Sequence, residues 1–318
     1  MIFSGLLATS VLGEPPRIDA LTDWPWWRGP TRDNKVAGTP EPVIEFSESR
    51  HVLWKVPVPG RGHASPTVVG TRVFLATSDQ DKGTQSVIAF DRGSGKRLWT
   101  HDVNTGGLPS KIHAKNTHAS STVACDGVRT FSIFYNHDSL QVTALSASDG
   151  QVLWEDRLGP YAPKRYEFGF AASPLIHGSN VIILGDSEEG GFLTALDRET
   201  GKRVWSTARP KEMNFSSPVV AKLGESEQLL ISGCSRLAAY DPLTGRSRWE
   251  SKEAYSDVTC GTVVWDGDLV FTSGGFPQPL TIAVRADTGE AVWQNKKKSY
   301  EQSMLAHAGY LYAVNDTG

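Results

Sequence analysis

Cysteine and methionine are scarce in this 318-residue chain, at three residues each. The cysteines, Cys125, Cys234 and Cys260, are odd in number and no two have CxxC spacing, so neither a disulfide framework nor a zinc site is signalled. They read as half-buried thiols on or near strands. No run of about 18 apolar residues occurs, which excludes a membrane-spanning helix. Charge of one sign is lacking too: 32 Lys+Arg against 35 Asp+Glu leave a net charge of −3, unlike a dedicated nucleic-acid binder. Gly-rich phosphate loops and Gly-x-Ser-x-Gly nucleophile elbows are absent. What is abundant is turn and indole: 31 Gly, 18 Pro and 10 Trp. Hydrophobic residues at 39% and charged residues at 21% exclude wholesale disorder.

The tryptophans recur. Ala89-Phe90-Asp91-Arg92-Gly93-Ser94-Gly95-Lys96-Arg97-Leu98-Trp99 is one eleven-residue unit. Equivalent units run Ala144 to Trp154, Ala195 to Trp205, Ala239 to Trp249 and Ala283 to Trp293, with glycines at Gly150, Gly201, Gly245 and Gly289. Trp54 closes another copy. Successive tryptophans lie 45, 55, 51, 44 and 44 residues apart, the period of a four-stranded propeller blade. A second motif precedes each unit, as in Ala64-Ser65-Pro66, Ser120-Ser121-Thr122, Ala172-Ser173-Pro174, Ser216-Ser217-Pro218, Cys260-Gly261-Thr262 and, more weakly, Ser303-Met304. It reads as a short inner strand, Pro being tolerated at a strand's first residue.

The expected fold is therefore all-β: a propeller of four-stranded antiparallel blades, five complete (63–99, 118–154, 171–205, 216–249, 260–293) and one partial. In each blade the strand ending at Trp is outermost. The Asp-to-Gly segment is the hairpin before it, with Gly supplying φ > 0. Ala marks a place where the neighbouring blade lies close, and Trp covers the gap between blades. Residues 1–20 read as a shortened signal peptide, 21–50 as an extension carrying Trp24-Pro25-Trp26-Trp27-Arg28-Gly29-Pro30, and 51–318 as the propeller. Because the last residues, Asn315 to Gly318, fall in a turn and leave an open sheet edge, the sequence reads as a fragment.

At these residues the sequence resembles the pyrroloquinoline-quinone (PQQ) repeat propellers. The likeness is to their non-enzymatic branch, typified by the periplasmic scaffold lipoprotein of the machinery that assembles outer-membrane β-barrels. The resemblance covers residue 51 onward, and the Trp-Pro-x-aromatic-Arg-Gly-Pro opening belongs to it. It implies a ring of usually eight blades in a periplasmic or otherwise extracytoplasmic bacterial protein. It implies that each Trp docks onto the Ala peptide of the next repeat, making Trp99, Trp154, Trp205, Trp249 and Trp293 structural. The enzymatic branch holds PQQ with Ca²⁺ in the central cavity, often beneath adjacent cysteines and beside a catalytic Asp. No Cys-Cys pair occurs here and no acidic cluster matches that metal motif. No catalytic, cofactor-binding or metal residue is therefore expected; a PQQ-dependent oxidoreductase is the alternative, and a carbohydrate-binding or sensor propeller attached to another domain is a third reading.

Other candidate sites are weak. His113-x4-His118 lacks a third ligand. Asp186-Ser187-Glu188-Glu189-Gly190-Gly191 lacks the spacing of a calcium loop and reads as a solvated turn. Lys296-Lys297-Lys298 is too short for an interaction tail. Loop lengths say more. Blade-to-blade links (57–62, 101–117, 155–169) and second-to-third strand loops (77–86, 273–279) are long and varied, and in an up-and-down blade they share one face. Protein partners are expected there, with His113, Lys115, Tyr161 and Arg165 as candidate contacts.

Overall fold

In a computed structural model of the chain, residues 16–315 are described, apart from 40, 166, 252–258 and 277. Five four-stranded antiparallel sheets follow one another, each with its strands paired in chain order. The first is β1 (Thr67–Val69), β2 (Arg72–Asp79), β3 (Thr84–Asp91) and β4 (Arg97–Thr105). The second is β5 (Ala124–Cys125), β6 (Arg129–Asn136), β7 (Ser139–Ser146) and β8 (Val152–Leu158). The third is β9 (Leu175–His177), β10 (Asn180–Gly185), β11 (Gly191–Asp197) and β12 (Arg203–Arg209). The fourth is β13 (Val219–Leu223), β14 (Ser226–Gly233), β15 (Arg236–Tyr240) and β16 (Ser247–Ser251). The fifth is β17 (Val264–Asp266), β18 (Leu269–Gly274), β19 (Leu280–Arg285) and β20 (Ala291–Asn295). A sixth sheet holds β21 (Leu305–His307) and β22 (Tyr310–Tyr312). No helix occurs among the described residues. This is the expected propeller: five full blades and a two-stranded sixth.

Two details of the blade differ from the sequence reading. Tryptophan is the third residue of each outer strand, not its last; β4 continues six residues beyond Trp99. The alanine lies opposite the tryptophan of its own blade. The third and fourth strands pair Ala89 with Trp99, Ala144 with Trp154, Ala195 with Trp205, Ala239 with Trp249 and Ala283 with Trp293, and the register shifts by one residue directly after each alanine. On its other side the alanine faces a large residue of the second strand: Phe74, Phe131, Ile182, Leu230 or Phe271. The Phe131 and Trp154 rings then meet with centroids 5.9 Å apart. A methyl group between them is what lets two bulky side chains of one sheet face come together.

The docking partner across the blade boundary is glycine. A Cβ on Gly95, Gly150, Gly201, Gly245 or Gly289 would stand 2.4–2.8 Å from the indole of Trp54, Trp99, Trp154, Trp205 or Trp249. The same five glycines have φ between +69° and +76°, and each donates its N–H to the carbonyl four residues back at 2.8–2.9 Å. So this position needs glycine twice, for the turn and for the indole. The indole N–H of Trp54, Trp99, Trp154 and Trp249 donates to a carbonyl of that next-blade turn, on Arg92, Ala147, Arg198 and Ala286, at 2.8, 3.4, 3.0 and 2.7 Å. Trp205 presses on Gly245 with its N–H unpartnered. Trp293, at the last full blade, remains 38% exposed.

The N-terminal segment is no peripheral extension. It crosses the centre of the ring, touching inner strands of successive blades. Trp24 makes an isolated antiparallel bridge with Val68 of β1. The Pro25 carbonyl accepts from Cys125 N–H of β5 at 2.8 Å. The Arg32 guanidinium donates to Ile176 O of β9 at 2.7 Å. Trp27 Nε1 donates to Thr262 at the mouth of β17 at 2.8 Å, and Arg28 donates to Met304 O before β21 at 3.0 Å. Trp26 and Arg28 are buried. The seat begins at Arg17, whose N–H donates to Asp126 O at 2.8 Å, so residues 17–20 belong to the folded body; the rest of the expected signal peptide, residues 1–15, lies outside the described residues.

Candidate functional site: the axial cavity and the long-loop face

The small residues that open each inner strand form a belt around the axis. Ser65 N–H donates to Thr122 Oγ1, Thr122 N–H to Ser173 Oγ and Ser173 N–H to Ser217 Oγ, at 3.0–3.1 Å; Thr262 N–H donates to Ser303 Oγ at 3.0 Å. An inner strand starting beside another blade has an N–H with no partner in its own sheet. The next blade's hydroxyl supplies one. In sequence these positions read only as strand openers.

Above this belt, on the face of the blade-to-blade links, lies an axial cavity of about 540 Å³. Trp27 and Arg28 of the N-terminal segment line it. Its wall takes residues from every link, with Phe168, Phe215 and Tyr300 as aromatic surfaces. Asn34, Asn116 and Gln302 supply amides, and Ser120, Thr122, Ser173, Ser217 and Ser303 hydroxyls. His63, Lys115, Cys260 and Glu301 complete the polar set. Among the described residues Glu301 is the one carboxylate of the wall, and an exposed one, and no group of three or more His, Cys, Asp or Glu could hold a metal ion.

Arg28 is 4% exposed; its Nη2 donates to Met304 O and, at 3.3 Å, to Asp33 O, while Nε has no partner. Burial lowers its guanidinium to about 10, against the pull of Asp33. Asp33 does not pair with it directly; its carboxylate lies 3.1 Å from Lys35 Nζ and accepts from Thr31.

The thiols are more enclosed than expected. Cys125 and Cys234 are fully buried, and Cys260 partly. Burial pushes Cys125 and Cys260 up to about 12 and Cys234 well above the ordinary thiol range, so none is a ready nucleophile.

Of the candidate partner contacts, His113, Lys115 and Arg165 are exposed on the long links. His113 packs against Phe168 with centroids 4.6 Å apart and ring planes tilted by 50°, and Arg165 N–H donates to Glu188 at 3.0 Å. Tyr161 is a correction. It is fully buried, its hydroxyl donates to Gly169 O at 2.9 Å, and its ring meets Tyr135 and Phe170 edge-on. In sequence it reads as exposed because its neighbours Lys164 and Arg165 are charged. The loop between β2 and β3 is also shorter than read, 80–83, because both strands extend into it.

Asp186 overturns the solvated-turn reading. It is 1% exposed, and its carboxylate accepts from Arg209 Nε at 2.8 Å and Nη2 at 2.7 Å, from Asn214 at 3.2 Å and from the Cys234 thiol at 3.4 Å. Arg209 also donates to Tyr240 Oη at 2.8 Å. The cluster joins the third blade to the fourth. A fork of guanidinium donors fits a carboxylate, which is why such a pair survives desolvation.

Comparison with known proteins matches residues 35–189 and 83–318 to the family described as outer membrane protein assembly factor BamB. A protein of that name from Yersinia pestis is 25% identical over 90% of this chain and 70% of its own length. The chain spans less of other relatives: 42% of the Bordetella pertussis assembly factor, at 28% identity over 61% of this chain. It spans 34% of the dehydrogenase subunit of the quinone alcohol dehydrogenase of Komagataeibacter europaeus, at 26% identity over 76% of this chain. The fold is shared with the crystal structure of BamB from Moraxella catarrhalis, at TM-score 0.53 and 20% identity over 79% of this chain and 69% of that one. It is shared also with a europium-containing methanol dehydrogenase, at TM-score 0.55 and 11% identity over 77% and 63%. Repeat, blade geometry and family match agree, and the chain belongs to the PQQ-like repeat family described as outer membrane protein assembly factor BamB.

Proposed function

We propose that the chain is a non-enzymatic, extracytoplasmic propeller scaffold that binds protein partners through its long-loop face, in the assembly of outer-membrane proteins. The observation that carries this reading is the axial cavity. Ca²⁺ takes six to eight oxygen ligands, with carboxylates prominent among them. The described wall offers one carboxylate, Glu301, which is exposed. The quinone site of the enzymatic branch also pairs cysteines, and Cys260 stands alone in the wall. This donor set does not fit a quinone–calcium centre. The face around the cavity carries the longest and most varied links, with His113, Lys115 and Arg165 exposed. The assembly-factor relatives supply the cellular role.

The second reading, a PQQ-dependent oxidoreductase, draws on the dehydrogenase relatives and on the two cations, Arg28 and Lys115, that line the cavity. One pair of experiments separates them. Cross-linking from the His113–Lys115 and Arg165 segments in intact bacterial envelopes should capture outer-membrane assembly proteins, and captures should disappear when these residues are replaced by Ala and Glu. Addition of PQQ with Ca²⁺ should leave the absorption spectrum unshifted and alcohols unoxidised. A saturable spectral shift with dye reduction would sink the scaffold reading.

A further inference from the structure

The axial cavity has a chemistry that a scaffold face does not need. Its lining includes a buried guanidinium whose Nη2 has two carbonyl partners and whose Nε is unpartnered and closed off from solvent. The nearest carboxylate on its own segment, Asp33, is engaged by Lys35 and Thr31. A buried cation without a contacting anion favours an anionic guest. Lys115 adds a second positive charge to the lining, against the single exposed carboxylate of Glu301.

The rest of the lining describes the guest further. Trp27, Phe168, Phe215 and Tyr300 offer flat apolar faces, and the lining adds the amides of Asn34 and Gln302 and the hydroxyls of Thr122, Ser173, Ser217 and Ser303, the Asn116 amide being engaged by Ser120 and Phe168 O. Aromatic planes together with amides and hydroxyls match a ring whose faces are C–H and whose edge is hydroxyl. A volume of about 540 Å³ suits a small molecule. We propose that the axial cavity is a binding site for a carboxylated pyranose, a uronic acid or a short saccharide bearing one. Its carboxylate is held by Arg28 and Lys115 and its ring lies between the aromatic surfaces. Binding here shares Lys115 with the proposed partner face, whereas buried Arg28 belongs to the cavity alone, so R28Q tests the site without touching that face.

The test is titration calorimetry on the intact chain with glucuronate and galacturonate. Glucose, acetate and PQQ with Ca²⁺ serve as comparison ligands. One-to-one binding of a uronate in about the millimolar range or tighter is expected. Glucose, lacking the carboxylate, should bind about tenfold more weakly or worse, and so should acetate, lacking the ring. R28Q should abolish uronate binding. K115E, at an exposed position, should weaken it about tenfold with the melting temperature unchanged. Should R28Q fail to fold, K115E and the ligand series decide alone. Absence of uronate binding, equal binding of glucose or acetate, or full affinity in K115E would overturn the proposal. So would displacement of the uronate by tightly bound PQQ and Ca²⁺, which would also overturn the scaffold reading. Loss of partner cross-links with uronate binding intact would strike the scaffold reading alone.

Discussion

The rim and the axis of this propeller are held together by opposite means. At the rim, one solution is repeated: an indole laid on a glycine turn and anchored through its N–H. At the axis, a single aperiodic segment, Trp24 to Arg32, makes a different contact with each blade it meets. The rim can repeat because each boundary between blades presents the same indole-on-glycine contact, with the N–H bond kept at four of the five. One segment passing once through a ring of blades meets each at a different height and angle, so its residues cannot repeat. The rim thus stores stability in apolar area, the axis in hydrogen bonds to strand openings.

The largest effect should come from the rim. Trp154→Ala removes an indole that is 8% exposed and leaves a hole over Gly201; it should cost about 3–5 kcal/mol in chemical denaturation. Trp293→Ala, at 38% exposure, should cost well under half of that, which measures what the neighbouring blade contributes. Breaking the buried lock with Asp186→Asn should come close behind, at about 3 kcal/mol or more, since Arg209 is left with an unneutralised buried charge. Gly201→Ala should cost about 1–3 kcal/mol, and part of that should vanish in the Trp154→Ala background, where strain at φ +72° remains but the clash does not. At the axis, Thr122→Val leaves the Ser65 N–H unpaired and should cost about 1–3 kcal/mol. If the belt substitution proves as costly as the indole, the contrast between rim and axis fails.

The smallest effect is a pH dependence. Burial lowers His118 below its ordinary value of 6.5, so the unfolded chain binds its proton first as acid is added. Stability is fully present above about 6.5 and declines as pH falls through the window between the two values. Hydrogen bonds hold Asp91 and Asp149 below the usual carboxylate range of 3.8, so a further loss belongs to much stronger acid. Urea midpoints followed from pH 8 to pH 5 should drop, and His118→Gln should reduce that drop, leaving the share of His177, which burial also lowers. An unchanged slope would show that burial of this imidazole carries no weight.

The rim is legible in the sequence and the axis is not. Five spaced Gly–Trp pairs announce the blade, its period and its hairpin. Even so, the alanine reads as belonging to the wrong boundary. In sequence a small residue signals close approach without saying from which side, and here Phe131 and Trp154 approach from within the sheet. Tyr161 and Asp186 mislead for a related reason. Charged and Gly-rich surroundings mark a loop as solvated, yet a propeller's links fold back over its blades and bury selected side chains. Ser65, Thr122 and Ser173 carry a visible signal, their recurrence before each inner strand, but a hydroxyl's partner in another blade leaves no trace in local pattern. Trp27 and Arg28 become part of a cavity through contacts 235 and 276 residues away, a distance no motif spans.

That separation has a consequence for biogenesis. During synthesis the Trp-Pro-Trp-Trp-Arg-Gly-Pro stretch is made early, yet Thr262 and Met304 are made more than two hundred residues later. Its contacts with β1 and β5 can form once the first two sheets are made, but those with Thr262 and Met304 must wait for the last, so the hub closes last. The sheets pair strands in chain order and form from contacts near in sequence, whereas the hub contacts span more than two hundred residues and are slow to find. A nascent chain halted after four sheets would carry its outer seams already tight and its centre still open to water.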